Sequence, residues 1–295
     1  MFPYSLKFYH YNQGIIFLNM EVQRYMPDRN RLSVTIAMIL LAYALTGFVV
    51  IPSITISVNL LGIALPFIVD FHTIVSVLVA AMAATGSDWV LRSHPAIASS
   101  APAWQAMLHH WILPTLTAWM IGFPLNFLSG GPAWWVMLGG GGALLTLVLI
   151  SEYNVVDSAS LYHPLASLVL TALSFALYLI LLISLWSSGL RLYLLLPAMV
   201  LAAALVSLRT LYLRTGGRWL LVWSVGIALI VGQIATGFHY WPLSSLRFGL
   251  LVLGPTYALT SLAGAIEEGR SGRGALVEPL VMLGLVWGLA FWGAR

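Results

Sequence analysis

Three histidines and one glutamate carry the side chains best suited to chemistry in this sequence. His109 and His110 are adjacent, and Glu152 and His163 follow further along the chain. Imidazoles with a carboxylate are the ligand types of an open catalytic zinc or iron site. No H-E-x-x-H or paired E-x-x-H spacing accompanies them, and adjacent helical residues point about 100° apart. Two hypotheses stand for these four residues: a metal site, or histidines hydrogen-bonded at a membrane interface.

A second group of ionisable residues comprises Asp70, His72, His239 and Arg247. If the helices that carry them are neighbours, Asp70 and Arg247 are predicted to form a buried ion pair with both histidines nearby. One interpretation is structural: the pair anchors the chain beside an aromatic belt at the membrane surface. The other is a small-molecule or pigment site.

Asp88 and Arg92 are four positions apart in the sequence. On a helix this spacing brings opposite charges together. We interpret it as a structural ion pair at the end of a helix.

The composition determines the environment in which these residues work. The chain has 295 residues, of which 60% are hydrophobic and only 7% charged, whereas about 25% of the residues of a soluble domain are charged. The lipid bilayer is therefore the expected solvent. The net charge of +4 comes without a basic run interleaved with aromatic residues, which argues against nucleic-acid binding. The chain has no cysteine, so disulfides and sulfur-ligated metals are excluded.

Apolar runs of about 20 residues, the length that crosses a bilayer, recur along the chain. They cover residues 33–51, 72–91, 105–128, 133–151, 165–186, 191–213, 219–238, 247–266 and 276–294. We therefore predict an all-α polytopic membrane helix bundle of about nine transmembrane helices. The predicted domains are a cytoplasmic or interfacial segment at 1–32, in which residues 1–19 form either an over-extended start or an interfacial stretch, and a single transmembrane domain at 33–295.

The remaining apolar stretch, residues 53–71, is predicted to be a short β-hairpin at the outer interface. Polar Thr55, Ser57 and Asn59 alternate with apolar residues, which is a strand pattern, and Leu61-Gly62 can form a turn. Cytoplasmic loops collect Lys and Arg. Nine spans with a cytoplasmic N-terminus leave three of the 13 basic residues outside, whereas a tenth span at 53–71 leaves six. The C-terminus is then predicted to lie outside.

Two segments, "FHTIVSVLVAAMAATGSDWVLRSHP" (71–95) and "YWPLSSLRFGLLVLGPTYALTSL" (240–262), resemble a family of uncharacterised bacterial multi-pass membrane proteins classed only as a domain of unknown function. The resemblance implies a bacterial inner-membrane protein in which both segments belong to one domain. It carries no catalytic residue, cofactor or substrate across to this chain.

Three functional hypotheses follow. The scarcity of charge within the spans and the absence of a catalytic motif favour a non-catalytic scaffold or accessory subunit of a membrane complex, binding lipid or pigment, with other membrane-protein subunits as partners. The first alternative is a membrane-embedded, metal-dependent enzyme acting on a lipid or isoprenoid through the His/Glu group. The second is a carrier of an uncharged or hydrophobic solute. No cofactor is identified by the sequence.

Overall fold

The computed structural model of the chain describes residues 26–49, 52, 54–60, 63–69, 71–100, 104–128, 131–158, 160–189 and 191–292. Most of these residues are helical, because a backbone in hydrocarbon must satisfy its N–H and C=O groups within its own segment. The helices are α1 (Arg29–Thr46), α2 (Phe71–Leu91), α3 (Pro95–Ser100), α4 (Trp104–Phe127), α5 (Pro132–Val155), α6 (His163–Ser187), α7 (Leu192–Arg214), α8 (Leu221–His239), α9 (Ser245–Glu267) and α10 (Arg273–Trp292).

Within the described residues, seven helices are long and apolar enough to cross a membrane: α2, from Ile74, and α5 to α10. The chain is therefore a multi-pass helical membrane protein. The runs predicted at 33–51 and 105–128 also form long helices, α1 and α4, but they are not among those seven. Helix α1 begins in the polar Arg29-Asn30-Arg31, and α4 carries two histidines, which makes both less apolar. The count of nine spans stays a prediction.

Two strands, β1 (Ile54–Leu60) and β2 (Ile63–Val69), lie between α1 and α2. They pair antiparallel, from Ile54 opposite Val69 to Leu60 opposite Ile63. A proline inside a strand is tolerated at a sheet edge, and Pro66 of β2 meets this condition because the sheet has two strands. The predicted turn residues Leu61 and Gly62 lie outside the described residues.

The chain divides into two compact units. The first comprises the described residues of Met1–Ala118 together with Leu138–Ser167, and the second comprises Trp119–Met137 and Leu168–Arg295. In the first unit α1 packs against α2, and a Cβ at Gly86 would overlap the Thr35 Cγ2 atom. The Tyr43 hydroxyl of α1 donates to the Ala118 carbonyl of α4 at 2.6 Å. Small residues and hydrogen bonds between helices thus hold this unit together, as in other membrane bundles.

In the second unit the helices α7, α8, α9 and α10 pack against one another in succession, and α7 also contacts α9. Helix α9 is the most enclosed of the candidate spans, with 67% of its apolar window buried, whereas α10 has 17%. Ser207 and Thr260 share a hydrogen bond of 3.0 Å between α7 and α9. Trp287 of α10 donates its indole N–H to the Leu251 carbonyl of α9 at 3.2 Å. Helix α9 is therefore the centre of this unit.

Charged side chains join the ends of these helices. Arg214, the last residue of α7, pairs with Glu268 after α9 and donates to the Ser261 carbonyl at 3.2 Å. Arg270 donates its Nε–H to Glu268 at 2.9 Å. Burial, the largest single influence on Glu268, would raise the pKa of its carboxyl, but hydrogen bonds from Arg214 and Arg270 together outweigh it, and the pKa lies below its ordinary value. The network fixes the ends of α7 and α9 to each other.

Candidate functional site

Five buried side chains in the first unit make two sets of contacts, one joining His110 to His109 and Glu152 and the other joining His94 to Tyr153. Because Glu152 and Tyr153 are adjacent in the chain, we call the five together the Glu152 cluster: His94, His109, His110, Glu152 and Tyr153. Their exposed fractions are 1%, 7%, 5%, 0% and 0%, respectively. Three parts of the chain supply them: the residues between α2 and α3, the N-terminal half of α4, and the last turn of α5. Buried ionisable groups in a membrane protein are costly, so such a cluster is a candidate functional site.

The centre of the cluster is a contact between His110 of α4 and Glu152 of α5. His110 Nδ1 lies 2.7 Å from Glu152 Oε2. With the carboxylate ionised, Nδ1 carries the proton and donates it, so Glu152 fixes both the tautomer and the orientation of the ring. A histidine oriented by a carboxylate is a common element of acid–base sites.

The rings of His109 and His110 are in contact, although adjacent helical positions point about 100° apart. Their centroids are 3.9 Å apart, with the ring planes tilted by 44°. The direction of the Cα–Cβ bonds alone therefore does not determine where the two rings lie. The two imidazoles therefore occupy one site.

His94 is held in place as the cap of α3. Its Nδ1 accepts the backbone N–H of Ala96 at 3.2 Å, and Pro95, which has no N–H to satisfy, occupies the first helical position. Because Nδ1 is an acceptor, the proton of the neutral ring is on Nε2. The His94 ring meets the Tyr153 ring edge-on, with 4.6 Å between centroids.

Tyr153 closes the cluster toward the end of α2. Its hydroxyl is hydrogen-bonded to Ser93, and the Ser93 hydroxyl donates its own proton to the Val90 carbonyl at 2.6 Å. The tyrosine ring packs in an apolar wall with Leu91 and Ile97, which shields this side of the cluster.

The structure does not assemble the four residues of the metal hypothesis into one site. His110 and Glu152 are in contact, and His109 adjoins His110, but no group of three or more His, Asp or Glu residues within the described chain is arranged to hold a metal ion. His163 begins α6, and its Nδ1 is buried without a hydrogen-bond partner among the described residues. The arrangement observed is a His–Glu pair with a second imidazole.

The described residues of the second predicted group, His72, His239 and Arg247, lie at helix ends. Asp70 falls outside the described residues, and His72 is half-buried in the first turn of α2. His239 ends α8 and packs edge-on against Trp186 of α6, with 5.4 Å between ring centroids. Arg247 is in the first turn of α9, where its backbone N–H bonds to the capping Ser244 hydroxyl at 3.4 Å.

Asp88 and Arg92 are in contact at the end of α2. Arg92 Nε donates to Asp88 Oδ2 at 2.6 Å, and this hydrogen bond, with the charge of Asp88, raises the pKa of the Arg92 guanidinium. The Arg92 side chain is 47% exposed. The pair therefore anchors a helix end at the surface of the unit.

Sequence reasoning missed Tyr153 and Arg209. Tyr153 is adjacent to Glu152 at the end of a span, and this position beside a buried carboxylate was the available signal. The predicted topology places Arg209 on the cytoplasmic side, near the end of the span at 191–213. In the structure its side chain is fully buried, and its guanidinium lies 5.8 Å from the Tyr212 ring centroid. No periodicity or motif in the sequence distinguishes Arg209 from Arg214, the partly exposed arginine that ends the same helix.

Comparison with known proteins identifies a family. No curated protein and no solved structure matches the chain. A family profile described as "Protein of unknown function (DUF5656)" matches residues 51–293, which include both strands, the Glu152 cluster and all seven apolar helices. The chain therefore belongs to the DUF5656 family of proteins of unknown function.

Proposed function

We propose that the protein is a non-catalytic scaffold or accessory subunit of a membrane complex, with other membrane-protein subunits as partners. The observation that carries the proposal is the contact of Glu152 with His110. The buried carboxylate of Glu152 on α5 contacts His110 on α4. Charged residues at the ends of α7 and α9 likewise join two helices. Ionisable groups used in this way hold helices in one arrangement.

The proposed topology has nine spans in a bacterial inner membrane, with the N-terminus cytoplasmic and the C-terminus outside. Its support is the excess of arginine at the ends of α2, α7 and α9 and at the start of α10, all of which this topology places on the cytoplasmic side. The hairpin of β1 and β2 then lies at the outer interface, since an open sheet edge does not face hydrocarbon.

Native gels of the protein in its own membrane extract test the scaffold role. A subunit of a complex migrates in mild detergent above the mass of its 32.2 kDa chain and its micelle, and cross-linking identifies the neighbouring chains. Migration as a monomer, without cross-linked partners at any detergent concentration, would contradict the proposal. An absorption spectrum of the same material tests for a bound pigment.

A second candidate function is acid–base catalysis on a lipid or isoprenoid substrate, favoured by the orientation of His110 by Glu152. The metal-dependent form of this enzyme, with His163 as a further ligand, is a hypothesis from the sequence, and the described residues do not form its set of ligands. Elemental analysis of the purified wild type, Glu152→Ala and His163→Ala tests whether the protein binds a metal through these residues. A stoichiometric metal that both substitutions remove would support the enzyme; absence of metal in the wild type would eliminate its metal-dependent form.

A carrier of an uncharged or hydrophobic solute is the remaining alternative. Proline interrupts α7 at Pro197 and α9 at Pro255, and neighbouring helices commonly re-satisfy the backbone at such positions. Uptake of a labelled solute into vesicles that contain the protein tests this alternative.

A further inference from the structure

A shallow groove of about 220 Å³ lies between α1 and α2 on the first unit. Its walls are formed by Thr35, Met38, Met82, Thr85, Gly86 and Trp89. Pockets for drug-sized ligands enclose about 300–1,000 Å³, so the groove is too small for such a ligand. It is suited to part of one extended hydrocarbon chain, because its lining is mainly apolar.

The groove is open to the surroundings of the helices. Met38 is 52% exposed and Trp89 is 42% exposed, although both are large apolar side chains. Its floor is the close approach of α1 to α2 at Gly86, where a Cβ would overlap the Thr35 Cγ2 atom. In a membrane-spanning unit, an open apolar groove of this kind is in contact with lipid.

A cation is fixed beside one end of the groove. Arg31 Nη1 donates to the Trp89 carbonyl at 2.9 Å, and the guanidinium lies 5.5 Å from the centroid of the Trp89 ring. A guanidinium has five N–H donors in a planar fork that matches phosphate. The bond to Trp89 uses one of them and orients the others.

The charges around Arg31 leave a positive excess at this end. Asp28 caps α1, its carboxylate accepting the Asn30 N–H at 2.8 Å, while Asp88 is paired with Arg92. Among the described residues here, these two carboxylates compare with three guanidinium groups, those of Arg31, Arg92 and the exposed Arg29. Trp89, a residue type enriched where the hydrocarbon meets the headgroups, lies at the same level as this charge.

We propose that this groove binds an anionic phospholipid, with one acyl chain along Met38 and Met82 and the phosphate at Arg31. The site does not depend on the scaffold role: a scaffold, an enzyme or a carrier would bind the lipid equally. The apolar lining selects an acyl chain, and the fixed guanidinium selects an anionic headgroup.

Quenching of Trp89 by brominated lipids tests the proposal. The purified full-length protein is placed in phosphatidylcholine nanodiscs that contain a small fraction of either phosphatidylglycerol or phosphatidylcholine with brominated acyl chains. The difference between the wild type and Trp89→Phe isolates the quenching of Trp89 from that of the other tryptophans. One arginine near an anionic surface contributes about 1 kcal/mol, so we expect an apparent affinity about fivefold higher for the brominated phosphatidylglycerol.

Three variants separate the site from general lipid contact. Arg31→Gln should remove the preference for the anionic lipid, and Arg31→Lys should keep part of it, because the charge remains although the planar fork that matches phosphate is lost. The matched control is Arg29→Gln, which removes an exposed arginine in the same turn of α1 that has no described bond to Trp89. It should lower the preference less than Arg31→Gln does, because its charge is not fixed beside the groove. Thr85→Phe, which fills the groove from an exposed position, should lower quenching by both lipids.

The thermal midpoint of each variant confirms that it is folded before the lipid measurement is read. Equal quenching by the two brominated lipids in the wild type would overturn the proposal. The same applies if Arg29→Gln and Arg31→Gln reduce the preference equally, if Arg31→Lys removes it, or if Thr85→Phe leaves Trp89 as strongly quenched as before.

Discussion

The contact of His110 with Glu152 predicts a large, coupled loss of stability when either residue is removed. Glu152 is fully buried, and its Oε2 lies 2.7 Å from His110 Nδ1. Removing one partner of a buried pair deprives the other of this contact, at a cost of about 3–5 kcal/mol. We expect Glu152→Ala to lower the free energy of unfolding by that amount. Glu152→Gln keeps an acceptor for the Nδ1 proton and should cost about 1–2 kcal/mol.

A double-mutant cycle isolates the contact itself. The free energy of unfolding is measured for the wild type, Glu152→Ala, His110→Ala and the double variant, by titrating the protein from mild detergent into a denaturing one and following the loss of helix. Since the double variant leaves no uncompensated partner, its loss should be smaller than the sum of the single losses by about 1–3 kcal/mol.

Ser151→Ala is the matched control, because Ser151 is buried in the same turn of α5, with 5% of its surface exposed. Its substitution should change the free energy of unfolding by less than about 1 kcal/mol. If the single losses at Glu152 and His110 add within about 0.5 kcal/mol, the pair is not coupled. Our account of the cluster as a helix-to-helix brace would then be wrong.

Three further predictions concern packing and the charge network. Gly86→Ala should lower the thermal midpoint, at a cost of about 1–3 kcal/mol, and Thr35→Ser, which removes the overlapped methyl group, should restore it. Gly139→Ala, where a Cβ meets nothing within 4 Å, should instead raise the midpoint slightly, because alanine favours the helix. Arg214→Ala should cost about 2 kcal/mol, measured by the same unfolding titration, since its hydrogen bonds to Glu268 and to the carbonyl and hydroxyl of Ser261 are lost. The pKa of Glu268 is lowered from 4.5, so its stabilising effect is present above about pH 4.5 and is lost as the pH falls through the lowered pKa; Glu268→Gln should abolish this loss.

The helical membrane class could be predicted from the sequence because it depends on the hydropathy and charge of each segment, which are read directly from the residues. Length of an apolar run and scarcity of charge are properties of each segment alone, and the bilayer imposes helical structure on such segments. The same reasoning located α1 and α4 as apolar runs. The lower hydropathy of these two helices, from the polar start of α1 and the histidines of α4, is also a property of the sequence.

The Glu152 cluster could be predicted only in part. His109, His110 and Glu152 were recognised as chemical candidates because their residue types are costly in a membrane. Their pairing depends on which faces of α4 and α5 meet, and no periodicity states this. His163 was grouped with them on residue type alone, and the structure does not bring it into a common set of ligands.

The run of glycines at 139–142 shows why packing is the part that sequence leaves open. Four consecutive glycines predict close helix approach somewhere on α5, since each lacks a side chain. In the structure, a Cβ at Gly139 or Gly140 meets nothing within 4 Å, whereas one at Gly142 would come within 2.8 Å of Leu40 Cδ1. The residue type is the same at these positions, but only Gly142 faces a side chain of a neighbouring helix. Gly142 therefore has a packing role, while Gly139 and Gly140 lower helix propensity without a contact that requires them.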